Sequence, residues 1–130
     1  MKIDMLEHVN IRSLDIHRLE EWYGRILGLQ RGYRPPFAAT GIWMYRGDWP
    51  MVHLLAVSED PEHTNPRLEH FAFRATGLES FLALLTAEDV PYSTVRAPEA
   101  RMLQVYIEDP DGNTMHLDFP PEEGDALGFA

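Results

Sequence analysis

The sequence predicts an α+β fold: two tandem strand–helix–strand–strand–strand (βαβββ) modules whose curved mixed sheets face a central cleft. Three observations predict it. The stretch LEHVNI at residues 6–11 returns as LEHFAF at 68–73, 62 residues further on. The strand-like and helix-like segments that follow the first LEH recur in the same order after the second. A histidine on the last strand-like segment of each module follows the LEH histidine at matching intervals, 45 residues from His8 to His53 and 46 from His70 to His116. The modules cover about 5–57 and 68–119 of a single domain 1–130, with a linker at 58–67 and an acidic tail at 120–130. Two copies of about 60 residues are too long and too few for a solenoid, so each module presents one sheet face to the other and covers its back with a helix.

The elements follow in order. In LEHVNI, Leu6, His8 and Asn10 alternate with Glu7, Val9 and Ile11, the period of a strand. Asp15 is a helix cap, and Ile16, Leu19, Trp22, Tyr23, Ile26 and Leu27 recur at helical spacing before Gly28 stops the run. Pro35 and Pro36 interrupt a short extended piece; GIWMYRG and PMVHLLAV then form two strands about a turn at Gly47, Asp48 and Pro50. The linker SEDPEHTNP is polar and proline-bearing. In the second module LEHFAFRA is a strand. TGLES is a capping box, Thr76 at the cap and Glu79 three residues on. Leu78, Phe81, Leu82 and Leu85 give the next helix its apolar face, VPYSTV is extended, and RMLQVYIEDPDGNTMHLDF is a hairpin about DPDGN. The tail PPEEGDALGFA is expected to fray.

Composition narrows the function. The formal charge of −10 repels phosphate backbones, which argues against nucleic-acid binding and suits a cationic small molecule. No apolar run approaches the roughly 20 residues of a membrane helix, and MKIDMLEHV does not read as a secretory leader, so a cytoplasmic location is expected. The absence of cysteine excludes disulfides, thiolate metal sites and cysteine nucleophiles.

Four of the six histidines, His8, His53, His70 and His116, occupy repeat-related strand positions. Facing sheets would bring all four to one cavity, where neutral imidazoles bind a divalent ion such as iron, zinc, nickel or manganese. His17 lies on the polar helix face and His63 in the linker. Tyr106 and Glu108, on one face of the strand before DPDGN, are candidate proton-transfer groups. Arg34, Phe37, Trp43 and Tyr45 are candidates for an aromatic substrate pocket with one anion-binding group, and Arg46 and Arg101 are alternatives for the latter.

LEHVNIRSLDIHRLEEWYGRILGL, LEHFAFRA and DPDGNTMHLDF resemble the opening strand and helix, the second-module opening and the closing hairpin of the vicinal oxygen chelate superfamily. That superfamily includes glyoxalase I, extradiol dioxygenases and bleomycin-resistance proteins. The resemblance covers nearly the whole chain. It implies paired βαβββ modules around a divalent metal held from the first and last strands of each module, here by His8, His53, His70 and His116, and it implies a homodimer. The sequence departs from the family after DPDGN, where an apolar residue is usually followed by glutamate; here Met115 is followed by His116. Asp118, about 7 Å along the same pleat face, is a candidate to supply the missing carboxylate.

The expected function is a metal-dependent enzyme acting on a small oxygenated compound that chelates the ion, with dioxygenase-like chemistry preferred. The alternatives are a glyoxalase-like lyase or isomerase and a non-enzymatic antibiotic-binding protein. Four ligands on an octahedral ion leave two positions, enough for a chelating substrate, whereas chelation plus dioxygen needs three.

Overall fold

The computed structural model describes residues 1–2, 5–61, 68–97 and 102–129. His63, most of the 58–67 linker and Arg101 lie outside the described residues. The chain divides into two compact units, Met1–His63 and Thr64–Ala130.

The first unit runs β1 (Val9–Ser13), α1 (Ile16–Leu27), β2 (Gln30–Gly32), β3 (Gly41–Arg46) and β4 (Trp49–Ala56). Its sheet has the order β1-β4-β3-β2, with β1 parallel to β4 and the other pairs antiparallel. The helix is set by local chemistry. The Asp15 carboxylate accepts from Arg18 N at 3.0 Å. Gly28 takes a left-handed φ of 68°, and the backbone N–H groups of Gly28 and Leu29 close onto Gly24 and Tyr23 carbonyls. Ile16, Leu19, Trp22, Tyr23 and Ile26 are buried on α1, and Ile11, Ile42, Met44, Val52 and Leu54 are buried on the strands. Period-two alternation therefore commits one face of the sheet to the helix. The other face carries Asn10, Trp43 and His53, which lie side by side in register.

The second unit repeats the plan: β5 (Phe71–Arg74), α2 (Leu78–Ala87), β6 (Ser93–Arg96), β7 (Leu103–Glu108) and β8 (Thr114–Phe119), with sheet order β5-β8-β7-β6. Leu78, Leu85, Leu103, Val105, Ile107, Met115, Leu117 and Phe119 form its buried core. The DPDGN turn is held by Asp109, whose Oδ1 accepts from Asp111 N and Asn113 N, both at 2.9 Å. No described helix is long and apolar enough to cross a membrane.

Two sequence expectations fail here. The Thr76/Glu79 capping box does not form. Gly77 occupies the cap with φ 88° and α2 receives no local side-chain cap. Instead Glu123 Oε2 accepts from Gly77 N at 2.8 Å and Leu78 N at 2.6 Å. That glutamate belongs to the tail, which does not fray but forms α3 (Pro121–Ala126). Arg96 holds α3 and the chain beyond it, donating to Asp125 Oδ1 at 2.5 Å and to Phe129 O at 2.7 Å. Buried Gly124 lets α3 approach closely, since a Cβ there would stand 3.3 Å from Leu103 Cβ and Arg96 Nη2.

Candidate functional site

Each unit presents one pair of imidazoles on the sheet face away from its helix. In the first, His53 is buried at the centre of β4 and His8 immediately precedes β1, its side chain 38% exposed. The His8 and His53 rings stack 3.9 Å apart at 14°, and Trp43 stacks on His53 at 4.0 Å and 10°. His53 Nε2 lies 2.9 Å from Pro50 O, so the ring donates there and leaves Nδ1 as its lone-pair nitrogen. The β3–β4 register shifts between Met44 and Tyr45, close to this proline. Burial, and secondarily the neighbouring His8, lower the His53 pKa below its ordinary 6.5; the Pro50 bond and Glu7 oppose this, and Arg34 adds to it. His53 is thus neutral at pH 7, the form a metal ligand requires.

The proposed aromatic pocket of the first unit is partly assembled. Phe37 is exposed, with its ring centroid 6.1 Å from Trp43, and the Arg34 guanidinium carbon lies 5.1 Å from the Phe37 centroid. Arg34 Nε is buried without a hydrogen-bond partner. Tyr45 turns elsewhere: its ring covers Gly32, and its hydroxyl donates to Tyr33 O at 2.5 Å. His17 pairs with Glu20 at 3.2 Å on the outer face of α1.

In the second unit His116 is buried on β8, and the His70 side chain is 35% exposed just before β5. Their ring centroids are 4.9 Å apart, and Tyr106 packs against both, 4.7 Å from His116 and 6.2 Å from His70. The register row Ala72–His116–Tyr106 corresponds to Asn10–His53–Trp43 of the first unit. The LEH motifs correspond too: Glu7 lies 3.4 Å from His8 Nδ1, and Glu69 lies 3.4 Å from His70 Nδ1. Asp118 Oδ1 comes within 2.9 Å of His116 Nδ1, but too obliquely for a hydrogen bond, so this buried nitrogen has no hydrogen-bond partner. Gln104 was not foreseen from sequence, although it shares the alternating face of Tyr106 and Glu108. Its Nε2 donates to Asp118 Oδ1 at 3.1 Å and its Oε1 accepts from the Tyr106 hydroxyl at 3.4 Å. Glu108 is exposed, one register row beyond Tyr106 and opposite Thr114.

Within neither unit do three of the described histidine, aspartate and glutamate side chains converge as a metal-binding group. The donor chemistry of each pair nevertheless fits a divalent ion. The lone pair left on His53 Nδ1 is an acceptor of the kind a cation satisfies, and the Asp118 carboxylate oxygen 2.9 Å from His116 Nδ1 favours the tautomer protonated there, which leaves Nε2 for an ion. The parallel His8 and His53 rings cannot both aim in-plane lone pairs at one ion as they stand. Ligation by both requires His8, the more exposed ring, to rotate.

The family model of the Glyoxalase/Bleomycin resistance protein/Dioxygenase superfamily matches residues 5–117. The chain belongs to that superfamily. Solved structures with the superfamily's fold agree. An integron cassette protein from the mobile metagenome of the Halifax Harbour sewage outfall superposes with a TM-score of 0.73 at 20% identity, covering 90% of this chain and 99% of that one. Lactoylglutathione lyase from Agrobacterium tumefaciens gives 0.67 at 18% identity, with 95% and 99% covered. The genomically encoded fosfomycin resistance protein of Listeria monocytogenes gives 0.69 at 15%, with 94% and 98% covered. At these identities the likeness speaks for the fold alone. Comparison with curated proteins gives no match.

Proposed function

We propose that the chain is a divalent-metal-dependent enzyme acting on a small compound that chelates the ion through adjacent oxygens, with His8, His53, His70 and His116 holding the ion. One observation carries the reading: both units place a buried histidine on the last strand against a more exposed histidine before the first, on the face away from the helix.

A bound divalent ion supplies Lewis acidity to a chelated substrate oxygen. The chain's own residues do the rest. Pro50 O holds His53 in one tautomer. Gln104 holds the Asp118 carboxylate 2.9 Å from His116 Nδ1, where it orients that ring. The Tyr106 hydroxyl, which donates a long bond of 3.4 Å to Gln104, would exchange a proton with substrate beside the His70–His116 pair. Four imidazoles leave two positions on an octahedral ion, so this ligand set favours proton transfer within a bound substrate, lyase or isomerase chemistry, over the dioxygenase reaction preferred from sequence.

Elemental analysis of protein purified without chelator tests the reading. We expect one equivalent of metal per chain, lost in His70→Ala; metal-free protein that also refuses zinc, nickel, iron and manganese would refute it. A second reading, a non-enzymatic binder, is favoured by the formal charge of −10, which suits a cationic ligand; binding of such a ligand without metal would support it. We extend the family resemblance to a homodimer in the cytoplasm, and light scattering at the mass of one chain, 15.0 kDa, would overturn the dimer.

A further inference from the structure

Beside the second unit's histidine pair lies a cleft of about 580 Å³ whose lining includes Tyr92, Ser93, Tyr106, Glu108, Asp109 and Thr114. Its position follows from register. Ser93 on β6, Tyr106 on β7 and His116 on β8 share one row, and Glu108 and Thr114 share the next. Tyr106 is therefore a wall common to the cleft and the histidine pair.

The chemistry of the lining is one-sided. Among the described residues it contains no lysine, arginine or histidine. Of its two carboxylates, Asp109 is committed to the turn: Oδ1 takes Asp111 N, Asn113 N and Asn113 Nδ2, and Oδ2 takes Asn113 Nδ2 again at 2.8 Å. Glu108 is exposed and makes neither a hydrogen bond nor an ion pair among the described residues. Two phenols, Tyr92 and Tyr106, and two hydroxyls, Ser93 and Thr114, complete the polar lining. An anion here would meet an uncompensated carboxylate. A cation would gain a countercharge and aromatic rings whose faces attract positive charge.

We propose that this cleft is a subsite for a substituted ammonium group, so that the substrate of the proposed enzyme is a cationic amine. The identity of the substrate rests on the proposed function, whereas the cation preference of the cleft does not. Two residues along a strand span about 7 Å, so the cationic nitrogen would sit about that far from the end of the substrate that faces His116. In this proposal Glu108 reads charge, and proton transfer is left to Tyr106.

The test uses choline and its uncharged carbon isostere, 3,3-dimethylbutan-1-ol, titrated into the full chain and followed by the backbone amide resonances of Tyr92, Tyr106 and Glu108. Choline is expected to bind roughly three- to tenfold more tightly than the alcohol, with the difference shrinking as salt is raised. Glu108→Gln should remove the difference and leave the fold intact, since Glu108 holds nothing in place; Tyr92→Leu should weaken choline more than the alcohol. Equal binding of the two probes, tighter binding of acetate than of choline, or an unchanged ratio in Glu108→Gln would each overturn the proposal. His70→Ala separates the two readings: it should abolish metal uptake and leave the choline shifts in place. Choline preference without metal uptake in the wild type would sink the metal reading alone, and metal uptake without choline preference would sink this one alone.

Discussion

Replacing Glu123 by alanine should unfasten the start of α2. Its Oε2 accepts from both Gly77 N and Leu78 N, at 2.8 and 2.6 Å, and α2 has no other side-chain cap. A hydrogen bond to a charged group is worth about 1.5–3 kcal/mol and a helix cap about 0.5–2 kcal/mol. The Gly77 bond is exposed, so water can replace it in the variant; the Leu78 bond is part-buried. The loss should therefore fall near 2 kcal/mol for Glu123→Ala and near 1 kcal/mol for Glu123→Gln, which keeps an acceptor oxygen and loses the charge. For a chain of this size that lowers Tm by roughly 6–10 °C in the alanine variant. Urea denaturation gives the free energy, and hydrogen exchange at the Leu78 amide gives its location. Thr76→Ala and Glu79→Gln, the residues of the expected local capping box, should each cost under about 0.5 kcal/mol. A Thr76→Ala cost equal to that of Glu123→Ala would mean that the local box caps the helix in solution and would refute the Glu123 cap.

Three further outcomes are expected. Gly41→Ala should destabilise the first unit by about 1–3 kcal/mol in urea denaturation, because its Cβ would stand 2.6 Å from Leu54 O and 2.9 Å from Arg34 Cζ; wild-type stability would show that the β3–β4 spacing yields freely. His53 has a folded pKa below 6.5, so unfolding takes up its proton; in chelator its contribution to stability is whole above about pH 6.5 and is lost as pH falls through the folded pKa. His53→Phe should flatten the fall in stability between pH 7.5 and 5.5, and an unchanged slope would refute the shift. His116→Glu should keep the fold and move metal preference from zinc toward manganese in a competition titration; an unchanged ratio would place His116 outside the ligand set.

What could be read from the sequence was what short-range chemistry decides. Asp15 and Gly28 bound α1 within a few residues of the groups they satisfy, so their identities alone announced the helix. Alternation placed His53 and His116 on the face away from the helices, and the LEH spacing paired each with a partner. The Glu123 cap was hidden because it joins positions 45 and 46 residues apart, while Thr76 and Glu79 offered a plausible local substitute. The tail read as solvated because three acids, two prolines and two glycines fall within its eleven residues; α3 forms because Arg96, 25 to 33 residues earlier, donates to Pro121 O, Asp125 and Phe129 O together. Ring stacking was equally invisible, since side-chain rotation leaves no trace in periodicity.

The two units are alike in position and unlike in the partners they give their histidines. One row along from His53, the first unit has Leu55 beside Gly41; the equivalent row beyond His116 has Asp118 beside Gln104. His53 therefore finds its partners in a backbone carbonyl and in flat rings, with burial suppressing its charge. His116 faces a carboxylate held at 2.9 Å by a neighbouring amide. Tyr106, the counterpart of Trp43 in the register, adds a hydroxyl on the second side alone. The Tyr106 hydroxyl and the Asp118 carboxylate thus both lie in the second unit, which also carries the cleft lined by Glu108, whereas the first unit gives its buried histidine flat rings and a backbone carbonyl.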